Sequence, residues 1–271
     1  MDHHGRFRHA ALERGVPDDE ISTFLGHLRL AISLSGGVTG VPAGQFGGTP
    51  QLPAGLEWPS AGAGPLPFVF AVDCAALPRI DGMPATGSLL FFLDHEKAGL
   101  TDEPSHARVL HAPDAVPVSG SRYAAGAALV AELPEWFDPG EDDDEDEDDL
   151  SPFRRQLLAD RERDLPHLGE LRALADDLWP DGGAGAYLGG YPAADVITSI
   201  AEQTLAGNAD IPVSRWYSAV EREAHRLTGE WLSLASFPAG DEFYSANFVI
   251  RHDDLAAGRL DRAFATVRFS E

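Results

Sequence analysis

The chain has 271 residues, 44% of them hydrophobic, with 44 acidic against 20 basic side chains and a formal charge of −24. That excess of negative charge argues against nucleic acid and anionic membrane as partners, since both attract basic surfaces. One cysteine, Cys74, leaves no partner for an internal disulfide; with no apolar run near ~20 residues and no signal-peptide layout, a cytoplasmic setting is expected.

Residues 6–14 place Phe7, Ala10 and Ala11 at helical spacing, and Gly15 supplies a stop. Pro17-Asp18-Asp19-Glu20 opens a second helix, with acids at the positive end of its dipole and Ile21, Phe24, Leu25 and Leu28 on one face. From Leu30 the pattern alternates, which predicts a strand. Residues 35–66 are rich in Gly and Pro yet carry Leu52, Leu56 and Trp58, so an ordered loop laying Trp58 onto the first sheet is expected. Residues 68–73 and 89–94 read as strong strands, joined through turns at Pro78, Asp81-Gly82 and Pro84. Weaker strands are predicted at 107–111 and 127–133.

The segment 138–149 ends in nine consecutive acids, from Glu141 to Asp149. Like charges repel and stay solvated, so a mobile loop is expected there. It lacks the glycine and alternating ligand spacing of a calcium loop. A helical insertion follows over 151–180, one helix opening at Ser151-Pro152 and another carrying the ridge Leu168, Leu171, Leu174, Leu178. Residues 182–190 close the insertion. Helices are predicted over 194–206 and 213–227, then strands over 231–235, 243–251 and 263–269.

Two stretches look alike. Ser88-Leu-Leu-Phe-Phe-Leu-Asp-His95-Glu-Lys-Ala-Gly99 and Ser245-Ala-Asn-Phe-Val-Ile-Arg-His252-Asp-Asp-Leu-Ala-Ala-Gly258 each run from an apolar strand to a histidine, an acid and an Ala-Gly stop. Gly47-Gly48-Thr49-Pro50 and Gly189-Gly190-Tyr191-Pro192 precede them. The pattern reads as a diverged duplication that builds one fold from two halves. Equivalent histidines, His95 and His252, would act as acid and base in a cleft between the halves, with Trp58 and Asp73 as further candidate ligand-binding residues. The competing reading is that each histidine and its acid cap the turn after a strand.

The remaining motifs favour ordinary structure. The glycines 183–189 follow a helix and precede Pro192, unlike a dinucleotide fingerprint. Residues 35–40 have no lysine for a phosphate. Glu221 and His225 stand four apart on a predicted helix without further metal ligands, so they read as a surface pair. Cys74 reads as a small core residue.

The run Gln45-Phe46-Gly47-Gly48-Thr-Pro-Gln-Leu-Pro-Ala-Gly-Leu-Glu-Trp58-Pro59, the strand Pro67-Phe-Val-Phe-Ala-Val-Asp73, the Gly189-Gly-Tyr-Pro192 turn, the Trp231 strand and residues 248–258 resemble the YwqG-like family of uncharacterised bacterial proteins. The resemblance covers about residues 12–269. It implies an intracellular α+β protein with a duplicated β-rich unit, without an agreed activity, cofactor or catalytic residue. It also points toward protein binding, since members are reported near toxin-immunity loci. In the family a glutamine commonly follows each inner apolar run; here Ala71 and Ala235-Ser236 occupy those places.

The expected fold is therefore one α+β domain: β-rich halves over about 35–133 and 187–269, with N-terminal and inserted helices. The expected function is a non-enzymatic protein-binding or accessory module, immunity-like, that meets another protein through its acidic surface. The alternative is a small-molecule-binding protein or hydrolase-like enzyme with a pocket between the halves. No cofactor and no metal are expected.

Overall fold

The computed structural model describes residues 2–36, 42–61, 64–98, 106–137, 150–207, 211–239 and 244–269. The acidic run 141–149 lies outside these residues. Strands are β1 (Arg29–Ser35), β2 (Gly44–Phe46), β3 (Thr49–Pro50), β4 (Ser60–Ala61), β5 (Gly64–Pro65), β6 (Phe68–Asp73) and β7 (Ser88–Leu93), then β8 (Ala107–Ala112), β9 (Val118–Ser119), β10 (Tyr123–Glu132), β11 (Ala186–Gly189), β12 (Trp231–Pro238), β13 (Tyr244–Arg251) and β14 (Phe264–Phe269). Helices are α1 (His3–Glu13), α2 (Asp18–His27), α3 (His95–Ala98), α4 (Pro152–Asp164), α5 (Leu168–Leu178), α6 (Ala194–Leu205), α7 (Trp216–Thr228) and α8 (His252–Ala256). The class is α+β, as expected. No described helix is long and apolar enough to cross a membrane.

The chain forms two compact units. A helical unit takes residues 1–30, 130–180 and 191–230, and a β unit takes 31–129, 181–190 and 231–271. These units do not coincide with the expected halves. Strands from both halves join one ten-stranded sheet, ordered β14-β13-β12-β11-β1-β10-β2-β6-β7-β8. The runs β1-β11-β12-β13-β14 and β10-β2-β6-β7-β8 are antiparallel throughout. Several short strands escaped the sequence reading: β2, β3, β4 and β5 lie in the Gly/Pro-rich stretch expected to be loop, β9 has two residues, and β11 takes four residues of a glycine-rich stretch.

All six residues of β7 are buried. Its apolar run is continuous because both faces are covered, the condition under which strands lose their polar alternation. Leu89, Phe91 and Leu93 enter the main core. Leu90 and Phe92 enter a second cluster with Leu66, Ala71 and Val116, against which Leu52 and Leu56 pack. The Gly/Pro-rich loop thus covers the outer face, as expected. Trp58 sits edge-on to Phe92 at 5.1 Å, and its indole N–H donates to the Leu66 carbonyl at 2.8 Å.

The sheet curls until its two ends share one core. Phe91 of β7 meets Phe237 of β12 at 5.9 Å and Phe248 of β13 at 5.2 Å, and Phe70 reaches Phe237 at 5.4 Å. Register shifts between Phe68 and Phe70 and between Ser233 and Ala235 mark the bends, since a bulge raises local twist. Tight turns need glycine: Gly47 and Gly48 have φ of 64° and 88°, and a Cβ on Gly48 would approach the Ser119 carbonyl to 2.6 Å.

In the helical unit Phe7 of α1 stacks on Phe24 of α2 at 5.4 Å and on Trp179 at 6.0 Å. Glu20, which the sequence places in the first turn of α2, also serves the start of α5. Its buried carboxylate accepts from the backbone N–H of His167, the N-cap residue, at 3.1 Å, and meets the His167 ring Nδ1 at 3.0 Å. A carboxylate there also faces the positive end of the α5 dipole.

Candidate functional site

The four residues singled out from the sequence do not share a site. His95 opens α3, and its ring lies 6.4 Å from that of Tyr244, at the start of β13. His252 follows the other end of β13 and opens α8. Eight strand residues separate the two, about 25 Å at the usual rise per residue. Asp73 pairs with Ser88, at the end of β7 remote from His95, and accepts from Ala75 N at 3.0 Å. Leu255 of α8 lies against Gly82, in the connection that follows Asp73. Trp58 is on the outer face of the sheet. The acid–base pair in a shared cleft is therefore overturned.

The acids near these histidines are engaged locally. Asp94 accepts from the Lys97 ammonium at 2.7 Å and from Lys97 N at 3.4 Å, and this pairing holds its carboxyl below the ordinary carboxylate range. Asp254 accepts from Arg259 Nε at 2.8 Å. The capping acid of α3 is thus Asp94, before the histidine, rather than Glu96 after it.

A cavity of about 650 Å³ opens elsewhere, lined wholly by residues of the helical unit. Tyr217, Glu221, His225 and Thr228 lie three or four apart on α7 and so share its lining face. Phe153, Arg154 and Leu157 of α4 form a second wall, and Ala194, Ile197, Thr198 and Glu202 of α6 a third. Glu135-Trp136 and Tyr191-Pro192 complete it. The volume and the aromatic lining match the dimensions of ligand pockets in general.

Tyr191 is pinned from several sides. Its hydroxyl donates to the His27 carbonyl at 2.8 Å and its backbone N–H donates to Glu132 at 2.8 Å. The Arg29 guanidinium lies 3.9 Å over its ring and donates to the Thr228 carbonyl at 3.1 Å. Trp136 is held edge-on between two histidines, His27 at 5.4 Å and His225 at 4.8 Å, and Phe153 approaches His225 at 5.5 Å. Burial pushes both imidazoles below their ordinary value, and the charge of His225 pushes His27 down further.

Ser151 is the N-cap of α4. Its Oγ accepts from Arg154 N at 3.0 Å and donates to Glu221 Oε2 at 2.6 Å. His225 Nδ1 is buried and has no hydrogen-bond partner among the described residues. A hydroxyl, a carboxylate and an imidazole therefore meet in one cavity, but the hydroxyl bonds the carboxylate directly and not the imidazole. That is not the nucleophile–imidazole–carboxylate order of an acyl-transfer relay. Among the described residues no group of three or more His, Cys, Asp or Glu side chains is placed to share a metal ion.

The sequence did expose the Glu221–His225 spacing, but as a surface pair; both are half-buried cavity residues. Trp136, Tyr191 and Tyr217 were missed. Tyr217, four residues before Glu221 on the same helix, was the available signal.

No curated protein matches the chain. A family profile does match, over residues 44–268, which is most of the sequence. The chain belongs to the family described as a domain of unknown function, DUF1963.

Proposed function

We propose that this DUF1963 member is a non-enzymatic, accessory binding module, immunity-like, whose helical unit takes an apolar segment of a partner protein. The cavity of about 650 Å³ walled by Trp136, Phe153, Tyr191 and Tyr217 carries this reading. Two large apolar residues at or beside its α7 wall, Val213 and Tyr217, are 90% and 85% exposed. Exposed apolar side chains grouped in this way mark docking surfaces.

We read the β unit as the scaffold and as a diverged duplication, in keeping with the YwqG-like resemblance. What supports this is the matched order β10-β2-β6-β7-β8 and β1-β11-β12-β13-β14, with a bulge in β6 and in β12. The pairs Gly47-Gly48 and Gly189-Gly190, all at positive φ, close β2 and β11. Phe91 and Phe248, four residues before His95 and His252, touch each other, as equivalent residues near a twofold would. A cytoplasmic setting fits the single thiol, Cys74, buried and pushed up to about 11. The charge of −24 fits a protein partner better than nucleic acid.

Pull-down at low and high salt, with wild type and Ala224→Phe to fill the cavity, tests the reading. A protein held by wild type at low salt and lost in the variant supports it. Equal capture by both overturns the cavity as the site. A second reading, a small-molecule-binding or hydrolase-like protein, draws on the same cavity because Ser151, Glu221 and His225 meet there. A salt-insensitive thermal shift with small aromatic compounds, absent from Ala224→Phe, would favour it.

A further inference from the structure

We propose that the cavity is selective for a basic occupant: a lysine or arginine beside a large apolar residue on a segment of the partner protein. This rests on the binding-module reading above. The lining carries three carboxylates, Glu135, Glu202 and Glu221, and one guanidinium, Arg154, which already has a partner. An anionic segment would meet repulsion from the carboxylates with no uncommitted cation to offset it. A purely apolar segment would strip water from the carboxylates without supplying donors in its place.

The imidazole of the lining asks for the same chemistry. His225 lines the cavity beside Trp136, and its neutral imidazole keeps one lone-pair nitrogen that accepts from an N–H donor. The walls add a third term, because Trp and Tyr faces attract cations through the ring quadrupole. Tyr191 demonstrates this within the cavity wall, since Arg29 already lies 3.9 Å over its ring. Trp136 and Tyr217 offer comparable aromatic surface to an incoming cation, and the long aliphatic stem of lysine or arginine packs on such walls. The net charge of −24 draws a basic segment toward the protein before contact.

The test uses the full chain and three fluorescein-labelled twelve-residue peptides, followed by anisotropy at low salt. One peptide alternates Lys and Arg with Leu and Phe, the second replaces every base by Glu, and the third replaces every apolar residue by Gly or Ser. The basic apolar peptide is expected to bind most tightly and the acidic one not at all. Binding should weaken about tenfold in Glu202→Gln/Glu221→Gln and in Tyr217→Ala. Tyr217 is exposed enough that its truncation leaves the fold intact, which circular dichroism verifies. An acidic peptide that binds equally well and senses these substitutions overturns the basic selectivity while leaving the cavity as the site. If no peptide senses the substitutions, the binding-module reading fails as well.

Discussion

In the β unit Asp73 and the acids beside the candidate histidines are turned to local use. Asp94 holds Lys97, Asp254 holds Arg259, and Asp73 accepts from Ala75 N. Phenylalanines 70, 91, 237 and 248 fill the space inside the curled sheet. In the helical unit, by contrast, a large volume stays open beside Trp136, Tyr191 and Tyr217. On our proposal the similar stretches of sequence belong to the scaffold, whereas the open aromatic-lined volume is where another molecule fits.

The sharpest way to stress that contrast is to empty each unit in turn. Phe91→Ala should cost about 3–5 kcal/mol in urea denaturation, because a fully buried ring leaves a cavity. Phe248→Ala should cost a similar amount. Since the two rings touch, the double variant should deviate from the sum of the singles by about 0.5–3 kcal/mol. Strict additivity would break the shared-core description.

Glu20→Ala in the helical unit should cost about 1–3 kcal/mol, since it removes the acceptor of His167 N. Denaturation followed by fluorescence and by hydrogen exchange would locate the loss in α2 and α5. An unchanged midpoint would mean that this carboxylate is not the cap described.

A smaller effect concerns pH. His27 and His225 have lowered values in the folded protein, so the unfolded chain binds protons more readily. Their contribution is present above the unfolded value of about 6.5 and is lost as pH falls through the lower folded values. Melting temperature should therefore drop as pH falls below about 6.5, and His225→Phe should flatten that drop. A variant as pH-sensitive as wild type would contradict burial as the cause.

Smallest of all, Tyr217→Ala should change the unfolding free energy in urea by no more than about 0.5 kcal/mol while weakening peptide binding. A large loss of stability would make Tyr217 part of the unit's packing instead of its docking surface.

Much of the scaffold was legible because its physics is local. Continuous apolar runs such as Phe68–Asp73 mean strands covered on both faces, and Pro17 with three acids means a helix start. Four-residue β11 was not legible, since its glycines read as loop and only pairing with β1 and β12 makes it a strand. The paired histidines misled for a topological reason. Similar sequence contexts placed His95 and His252 after strands that look alike, but in the curled sheet those ends lie apart. The cavity gathers α4, α6, α7, Trp136 and Tyr191 from distant parts of the chain, so no spacing in any one stretch announced it.

Hydrogen exchange of the full chain with and without the basic apolar peptide tests the central claim most directly. The account predicts added protection at residues 134–136, 194–202 and 217–228, with β7 and β13 unchanged. Protection centred on α3 or α8, beside His95 or His252, with the cavity helices unaffected, would contradict it.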